Sequence, residues 1–473
     1  MKVLFATSEA YPFAMSGGLA DVAGALPKAL RKRFVGCRII LPLYGTISEE
    51  LRKKMTFVCH ISVPVAWRMQ YCGVFEAHMN GVIYYFIDNE HYFKREGLYG
   101  YYDDAERYAF FSRAVLEVIP HIGFTPDIIH CNDWQTALIP QYLNAFYKQN
   151  SLYANIKTVF TIHNIQYQGK YGKELYTDVL GLPEGAESIL EYDDCINLMK
   201  GAIQCADKVT TVSPTYSKEI LTPEYSHGLD YILRNFTYKL TGIVNGIDTE
   251  VYNPETDSLI YKNFTVDTLE DKAVNKAELQ KEMGLPERAD VPVIGIVTRL
   301  VQHKGLDLVK CVFEELLQND VQFTILGSGE WEFEDFFSQM AAKYPDKVGL
   351  VLGFKPQLAH RIYAGADIFL MPSLSEPCGL AQMVALRYGT IPIVRRTGGL
   401  NDTITDSGDN MGNGFTFAMY NAHDMKDSIM RALEGYKNPE GWNILRKRAM
   451  LCENSWKVSA GSYIGLYKEL IGK

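Results

Sequence analysis

Val293-Ile294-Gly295-Ile296-Val297-Thr298 is a short apolar run rich in β-branched residues, and Arg299-Leu300-Val301-Gln302-His303-Lys304-Gly305 follows it directly. A helical pattern then fills 305–318. Strand, polar loop and covering helix in that order form the repeating unit of a parallel α/β layer. The beat continues. Strand-like runs at Gln322–Leu326, Leu350–Phe354, Ile368–Met371 and Pro392–Arg395 alternate with helical patterns near 331–343, 357–364, 379–388 and 423–435. Near-continuous apolar strands are expected where helices cover both faces of a sheet.

The N-terminal half reads the same way. Strands are expected at Val3–Thr7, Arg38–Pro42, Ile83–Ile87, Asp127–Cys131, Thr158–His163 and Lys208–Val212, with helices at Ala20–Lys32, Asp104–Ile119 and Trp134–Tyr147. The join falls around Gly242–Asp248, and the segment 253–291 is polar, charge-rich and poor in strand signals. The predicted organisation is α/β, with two doubly wound, Rossmann-like domains over 1–241 and 242–452. A weak repeat fits two similar halves: Gly17-Gly18-Leu19-Ala20-Asp21 recurs as Gly398-Gly399-Leu400-Asn401-Asp402. Trp456–Leu470 has apolar residues at helical spacing and reads as a helix packing back on one of the domains. Two such domains facing each other make a cleft, and ligands of doubly wound sheets bind beyond the carboxyl ends of the strands.

Composition narrows the function. The chain has 473 residues, 47% hydrophobic and 22% charged, which fits folded domains rather than disorder or coiled coil. A net charge of −9 argues against a general nucleic-acid or anionic-membrane binder. The nine cysteines are scattered with no CxxC pair, which disfavours a zinc knuckle and suits a reducing cytosol. The apolar run in MKVLFATSEAYP is too short for a signal-peptide core, and no stretch of about 18 apolar residues is present, so a cytoplasmic protein is expected.

The strand-to-helix loops carry the candidate chemistry. Gly17-Gly18 at a helix start is either an ordinary tight turn or a place where backbone N–H groups meet an anion. Asp21 is either a favourable first-turn acid or an acceptor for sugar hydroxyls. His163, ending the strand Thr158–His163 beside Asn164, is either a satisfied structural histidine or a substrate-facing one. Asp133 can cap the next helix, and Trp134 reads most simply as core. Arg299 and Lys304 form either a solvated basic loop or a pair converging on a diphosphate, at about 1.5–3 kcal/mol per charge-assisted bond. In Ser375-Glu376-Pro377-Cys378-Gly379-Leu380, Pro377 fixes the turn and Glu376 can hold sugar hydroxyls beside helix-start donors. Arg395-Arg396-Thr397-Gly398-Gly399 can add donors. Gly327-Ser328-Gly329-Glu330-Trp331-Glu332 imitates a dinucleotide fingerprint but has Glu332 at the third glycine, so it reads as a tight loop. No P-loop is present.

Together these motifs, with Val244-Asn245-Gly246-Ile247-Asp248, closely resemble the bacterial glycogen synthases, the starch-synthase-like branch of the retaining GT-B glycosyltransferases. The resemblance runs from Phe5-Ala6-Thr7-Ser8-Glu9 to the Trp456–Tyr467 tail. It implies two Rossmann-like domains across a deep cleft, with the final helix, 453–473, returning to the first domain. It implies transfer of glucose from ADP-glucose to an α-1,4-glucan with retention, without cofactor or metal, and with no nucleic-acid or membrane partner. The absence of a DxD signature agrees with side-chain cations in place of Mg²⁺. By the same resemblance Arg299 and Lys304 hold the diphosphate, Glu376 holds the donor glucose with the Cys378–Gly379 backbone, and His163 lies beside the anomeric centre. Asp21 and Asn245 contact the sugar or the cleft, and Gly18 offers its amide to the phosphates. Met15, Gly17, Asp133, Asn164, Leu380, Thr397, Gly398 and Gly399 complete the expected substrate-binding set.

The sequence departs from the family in two places. Met15 stands where the first loop usually has lysine, and Gln135 where Asp-Trp-His would place histidine. Val384 stands eight residues after Glu376, where some retaining relatives carry a second glutamate. Two other readings stay open: a glucosyltransferase using UDP-glucose or a small acceptor, and a catalytically weak glucan-binding protein.

Overall fold

The computed structural model describes residues 1–409 and 411–472. The chain divides into two compact units, Met1–Asn245 together with the stretch from Trp456, and Gly246–Ser455.

The C-terminal unit is built on a six-stranded, wholly parallel sheet. Its order is Val348–Leu352, Gln322–Gly327, Val293–Val297, Ile368–Met371, Ile391–Arg395 and Phe415–Phe417. The chain winds outward from Val293–Val297, then returns to its other side at Ile368–Met371. The crevice at that reversal is the standard ligand site of the fold. Helices Leu306–Leu316, Trp331–Lys343 and Ala422–Tyr436 bury Val309, Phe313, Phe337 and Ile429 against strand residues such as Ile294, Phe323 and Ile393. Removing such side chains from water contributes about 1.5–3 kcal/mol each.

The N-terminal unit has a nine-stranded mixed sheet. Lys2–Ala6 lies at its centre between Gly36–Pro42 and Ile128–Asn132. Beyond Ile128–Asn132 come Lys157–Ile162, Lys208–Thr211 and Leu240–Gly242, all parallel. The other flank ends in a long antiparallel hairpin, Thr56–Val65 and Arg68–Met79, paired to Val82–Asp88. The terminal helix Trp456–Leu470 packs against helix Gly18–Lys32 of this unit. Its Tyr467 hydroxyl meets His130 Nδ1 at 2.6 Å, inside the core.

Several expectations need correction. The sequence does not reveal the hairpin over 56–79, because His60, Ser62 and Pro64 break up the apolar residues of its first strand and most of that strand is exposed or half-exposed. The single helix expected over Trp134–Tyr147 is three pieces: a 3₁₀ turn at Trp134–Thr136, an α-helix at Leu138–Tyr142 and a π-turn at Leu143–Tyr147. Pro140 has no N–H to donate there. The strand expected at Leu350–Phe354 is Val348–Leu352, ended by Gly353 at φ +123°. The polar segment 253–291 holds a helix, Lys272–Glu282, whose Asn275, Lys276 and Gln280 are buried and hydrogen-bonded, so its polarity hid a core face.

Candidate active site

In the C-terminal unit the loops after the two central strands meet. Lys304 Nζ donates to Glu376 Oε2 at 2.7 Å, and Ser373 Oγ donates to the same oxygen at 3.0 Å. Leu374 N binds the His303 carbonyl at 3.0 Å and ties the loops together. Arg299 is exposed. Arg299 and Lys304 both lie close enough to His303 to add to the burial that lowers its pKa. The switch point thus gathers two cations, a buried carboxylate and a hydroxyl.

The next loop braces this group from below. Helix Gly398–Thr403 starts so close to the Glu376 turn that a Cβ on Gly398 would sit 1.9 Å from the Glu376 carbonyl oxygen, and φ there is +43°. Gly399 N reaches the carbonyls of Glu376 and Pro377 at 3.2 and 3.1 Å. Cys378 and Thr397 are buried beside it, and Gly379 and Leu380 lead into helix Ala381–Arg387. Arg395, expected as a possible ligand donor, turns inward to the Leu374 carbonyl at 2.5 Å and stacks over Tyr420, so it shapes the loop. The dinucleotide look-alike is a spacer: a Cβ on Gly327 or Gly329 would meet the carbonyl oxygens of Thr298 or Leu300 at 1.9 or 2.3 Å. Those glycines let the loop press against the segment carrying Arg299.

The N-terminal unit assembles a second group. Asp133 follows strand Ile128–Asn132 with φ +56° and ψ −179°, a region nearly restricted to glycine and strained by about 1–3 kcal/mol for other residues. Its Oδ1 accepts the His163 N–H at 2.7 Å. Burial raises the Asp133 pKa to about 7, helped by the Glu9 charge and opposed by the amides of His163 and Asn164. His163 Nε2 lies 2.9 Å from Asn132 Oδ1, and desolvation lowers its pKa to about 3. Asn164 Oδ1 accepts from Gln166 N in a local turn. Asn245 is buried, and its Oδ1 has no protein partner among the described residues.

The loop Met15–Gly18 is organised by a residue the sequence reading did not single out. The Glu9 carboxylate accepts from Ser16 N at 2.6 Å, Ser16 Oγ at 2.7 Å, Gly17 N at 3.1 Å and the Tyr99 hydroxyl at 2.7 Å. Met15 is exposed, and added methyls on Gly17 or Gly18 would meet nothing. Asp21 is solvent-accessible, yet desolvation and then Glu9 raise its pKa to about 6. Gln135 is buried, so this departure from the family pattern lies in the core. A pocket of about 460 Å³ beside the His163 loop is lined by Trp134, Gln166, Tyr167, Tyr171 and His227. Of these the sequence points only to Trp134, and as a core residue. Aromatic faces and amide groups together suit sugar rings.

Two Rossmann-like units, one with cations and a carboxylate at its switch point, have the layout of a GT-B glycosyltransferase, and the family matches show that class. Residues 2–235 match the family described as starch synthase catalytic domain, and residues 278–448 match glycosyl transferases group 1. A glycogen synthase from Geobacillus thermodenitrificans is 55% identical, covering all of this chain and 98% of that protein. One from Bacillus anthracis is 52% identical, with both chains fully covered. The catalytic domain of starch synthase IV from Arabidopsis thaliana, bound to ADP and acarbose, superposes with a TM-score of 0.91 at 35% identity, covering 100% of this chain and 99% of that one. The chain belongs to the bacterial glycogen synthase family. A sucrose-phosphate synthase from Thermosynechococcus elongatus, at 17% identity and a TM-score of 0.62 over 100% and 99% of the two chains, shares the fold.

Proposed function

We propose that this chain transfers glucose from ADP-glucose to the non-reducing end of an α-1,4-glucan, retaining the anomeric configuration. The observation that carries this reading is the Lys304–Glu376–Ser373 group at the switch point of the C-terminal unit, with Arg299 nearby. Lys304 and Arg299 take the diphosphate and Glu376 takes hydroxyls of the donor sugar. Lys304 exchanges its carboxylate partner in part for phosphate oxygens when the donor arrives.

The donor bond breaks toward an oxocarbenium-like state while negative charge grows on the diphosphate. Fixed cations stabilise that charge without reorganising, which is where preorganised electrostatics act most strongly. The departing phosphate takes the acceptor proton on the same face, so no carboxylate is assigned as nucleophile. Side-chain cations carry the charge without a metal ion. In this reading His163, Asn164 and Asp21 are assigned to sugar hydroxyls and the Gly18 amide to the phosphates. ADP in the starch synthase IV complex and the glycogen synthase names of relatives above 50% identity support adenine and glucan over the alternatives.

The test is incorporation of labelled glucose into glycogen from ADP-glucose and UDP-glucose in competition, with the linkage analysed. Preferred use of ADP-glucose with new α-1,4 bonds is expected. Preferred UDP-glucose use would change the donor, and zero incorporation with intact glucan binding would make the chain a glucan-binding protein.

A further inference from the structure

His163 is held by two neighbours, and one fixes which ring nitrogen carries the proton. Asn132 is almost fully buried. Its Nδ2 donates to the Ala6 carbonyl at 2.9 Å and to the His130 carbonyl at 3.3 Å. Turning the amide over would set its oxygen against those two carbonyls and lose both bonds, so the orientation is determined by the backbone around it. Oδ1 therefore faces His163 Nε2, at 2.9 Å. An amide oxygen can only accept, so Nε2 must donate. The described residues place no hydrogen bond on Nδ1.

We infer that Asn132 is a positioning residue that locks His163 in the Nε2–H form, leaving Nδ1 as a bare acceptor for a hydroxyl group of the sugar. The opposite tautomer would put two lone pairs against each other across 2.9 Å. Two titratable groups lie close to His163: Asp133, which accepts its backbone N–H, and His130, whose lowered pKa keeps it neutral. A neutral ring with a free lone pair binds hydroxyl donors and repels phosphate or carboxylate oxygens. The diphosphate is thereby excluded from this position.

The inference rests on the reading of His163 as a sugar-facing group, but the two can fail separately. Two-bond ¹⁵N–¹H correlation spectra of the full chain labelled with ¹⁵N-histidine, with His163 assigned from His163→Gln, report the ring directly whether or not glucose is transferred. Nε2 protonated and Nδ1 bare is expected; a protonated Nδ1 in the wild-type protein would overturn the inference without any mutant. In Asn132→Ala the ring should populate both forms, and kcat should fall about three- to tenfold, the range a net hydrogen bond sets, with the donor KM little changed. Asn132→Asp, which restores an acceptor, should keep Nε2 protonated and move His163 titration to higher pH. An unchanged tautomer and kcat in Asn132→Ala would show that Asn132 does not set the ring.

Discussion

Gly398→Ala adds one methyl group where the structure has no room for it. The new Cβ would begin 1.9 Å from the Glu376 carbonyl oxygen and 3.2 Å from that of Pro377. Real Cβ contacts stay above 3.0 Å, so helix start and Glu376 turn must separate by about 1 Å. The φ of +43° adds about 1 kcal/mol of left-handed strain. Parting the backbones also weakens the shared Gly399 N–H bond to Glu376 and Pro377, about 1 kcal/mol more. A loss of about 2 kcal/mol in a unit of roughly 200 residues lowers its Tm by about 4–8 °C. The functional loss should be larger in proportion. Displacing Glu376 by about 1 Å from Lys304 misplaces the sugar-holding carboxylate, and errors of that size cost about 10²-fold in rate. Calorimetry on the full chain and initial rates with saturating ADP-glucose measure both effects. Gly17→Ala is the control for melting: its φ is −162° and the added methyl meets nothing, so Tm should hold. A Gly398→Ala protein with unchanged Tm and kcat would refute the claim that this contact positions Glu376.

Lys304→Ala should lower kcat by about 10- to 100-fold with donor saturating, since one charge-assisted contact to the leaving group is lost; unchanged turnover would remove Lys304 from the mechanism. Asp133 has its folded pKa raised to about 7, so the native state holds a proton that the unfolded chain releases near pH 4. Its contribution is favourable at low pH and is lost as pH rises toward 7. Asp133→Asn should therefore gain Tm over wild type progressively as pH rises from about 4 to about 7; a difference independent of pH would contradict the shift. Glu9→Ala should free Ser16 and Gly17, lowering kcat/KM and exposing the 15–18 loop to limited proteolysis, whereas wild-type resistance would show the loop ordered by other means. Activity should survive EDTA, and its loss with recovery on Mg²⁺ would overturn the assignment of leaving-group charge to Arg299 and Lys304.

Much of the fold was legible because parallel strands buried on both faces are written as apolar runs. Ile368–Met371 falls at its expected bounds for that reason, and helix Trp331–Lys343 does so because Phe333, Phe337 and Met340 recur at helical spacing on one buried face. The hairpin over 56–79 and helix Lys272–Glu282 were not legible, because one alternates half-exposed residues and the other buries polar groups that find partners across the fold. The sequence placed His163, Asp133, Arg299 and Glu376 in the loops that follow strands, and the structure puts them there. The role of Asn132 depends on Ala6 and His163, distant in sequence, while Glu9 and Ser373 act through side-chain contacts within their own loops that no motif or periodicity encodes. Nor could the repeated Gly-Gly-Leu motif reveal that its two copies differ, one open around Gly17-Gly18 and one closed around Gly398-Gly399.

The central claim concerns where the leaving group sits, and a crystal structure of the ADP complex tests it most directly. The diphosphate oxygens should lie within hydrogen-bonding distance of Lys304 Nζ and the Arg299 guanidinium at the switch point of the C-terminal sheet. A diphosphate bound elsewhere, with Lys304 still paired only to Glu376, would contradict it.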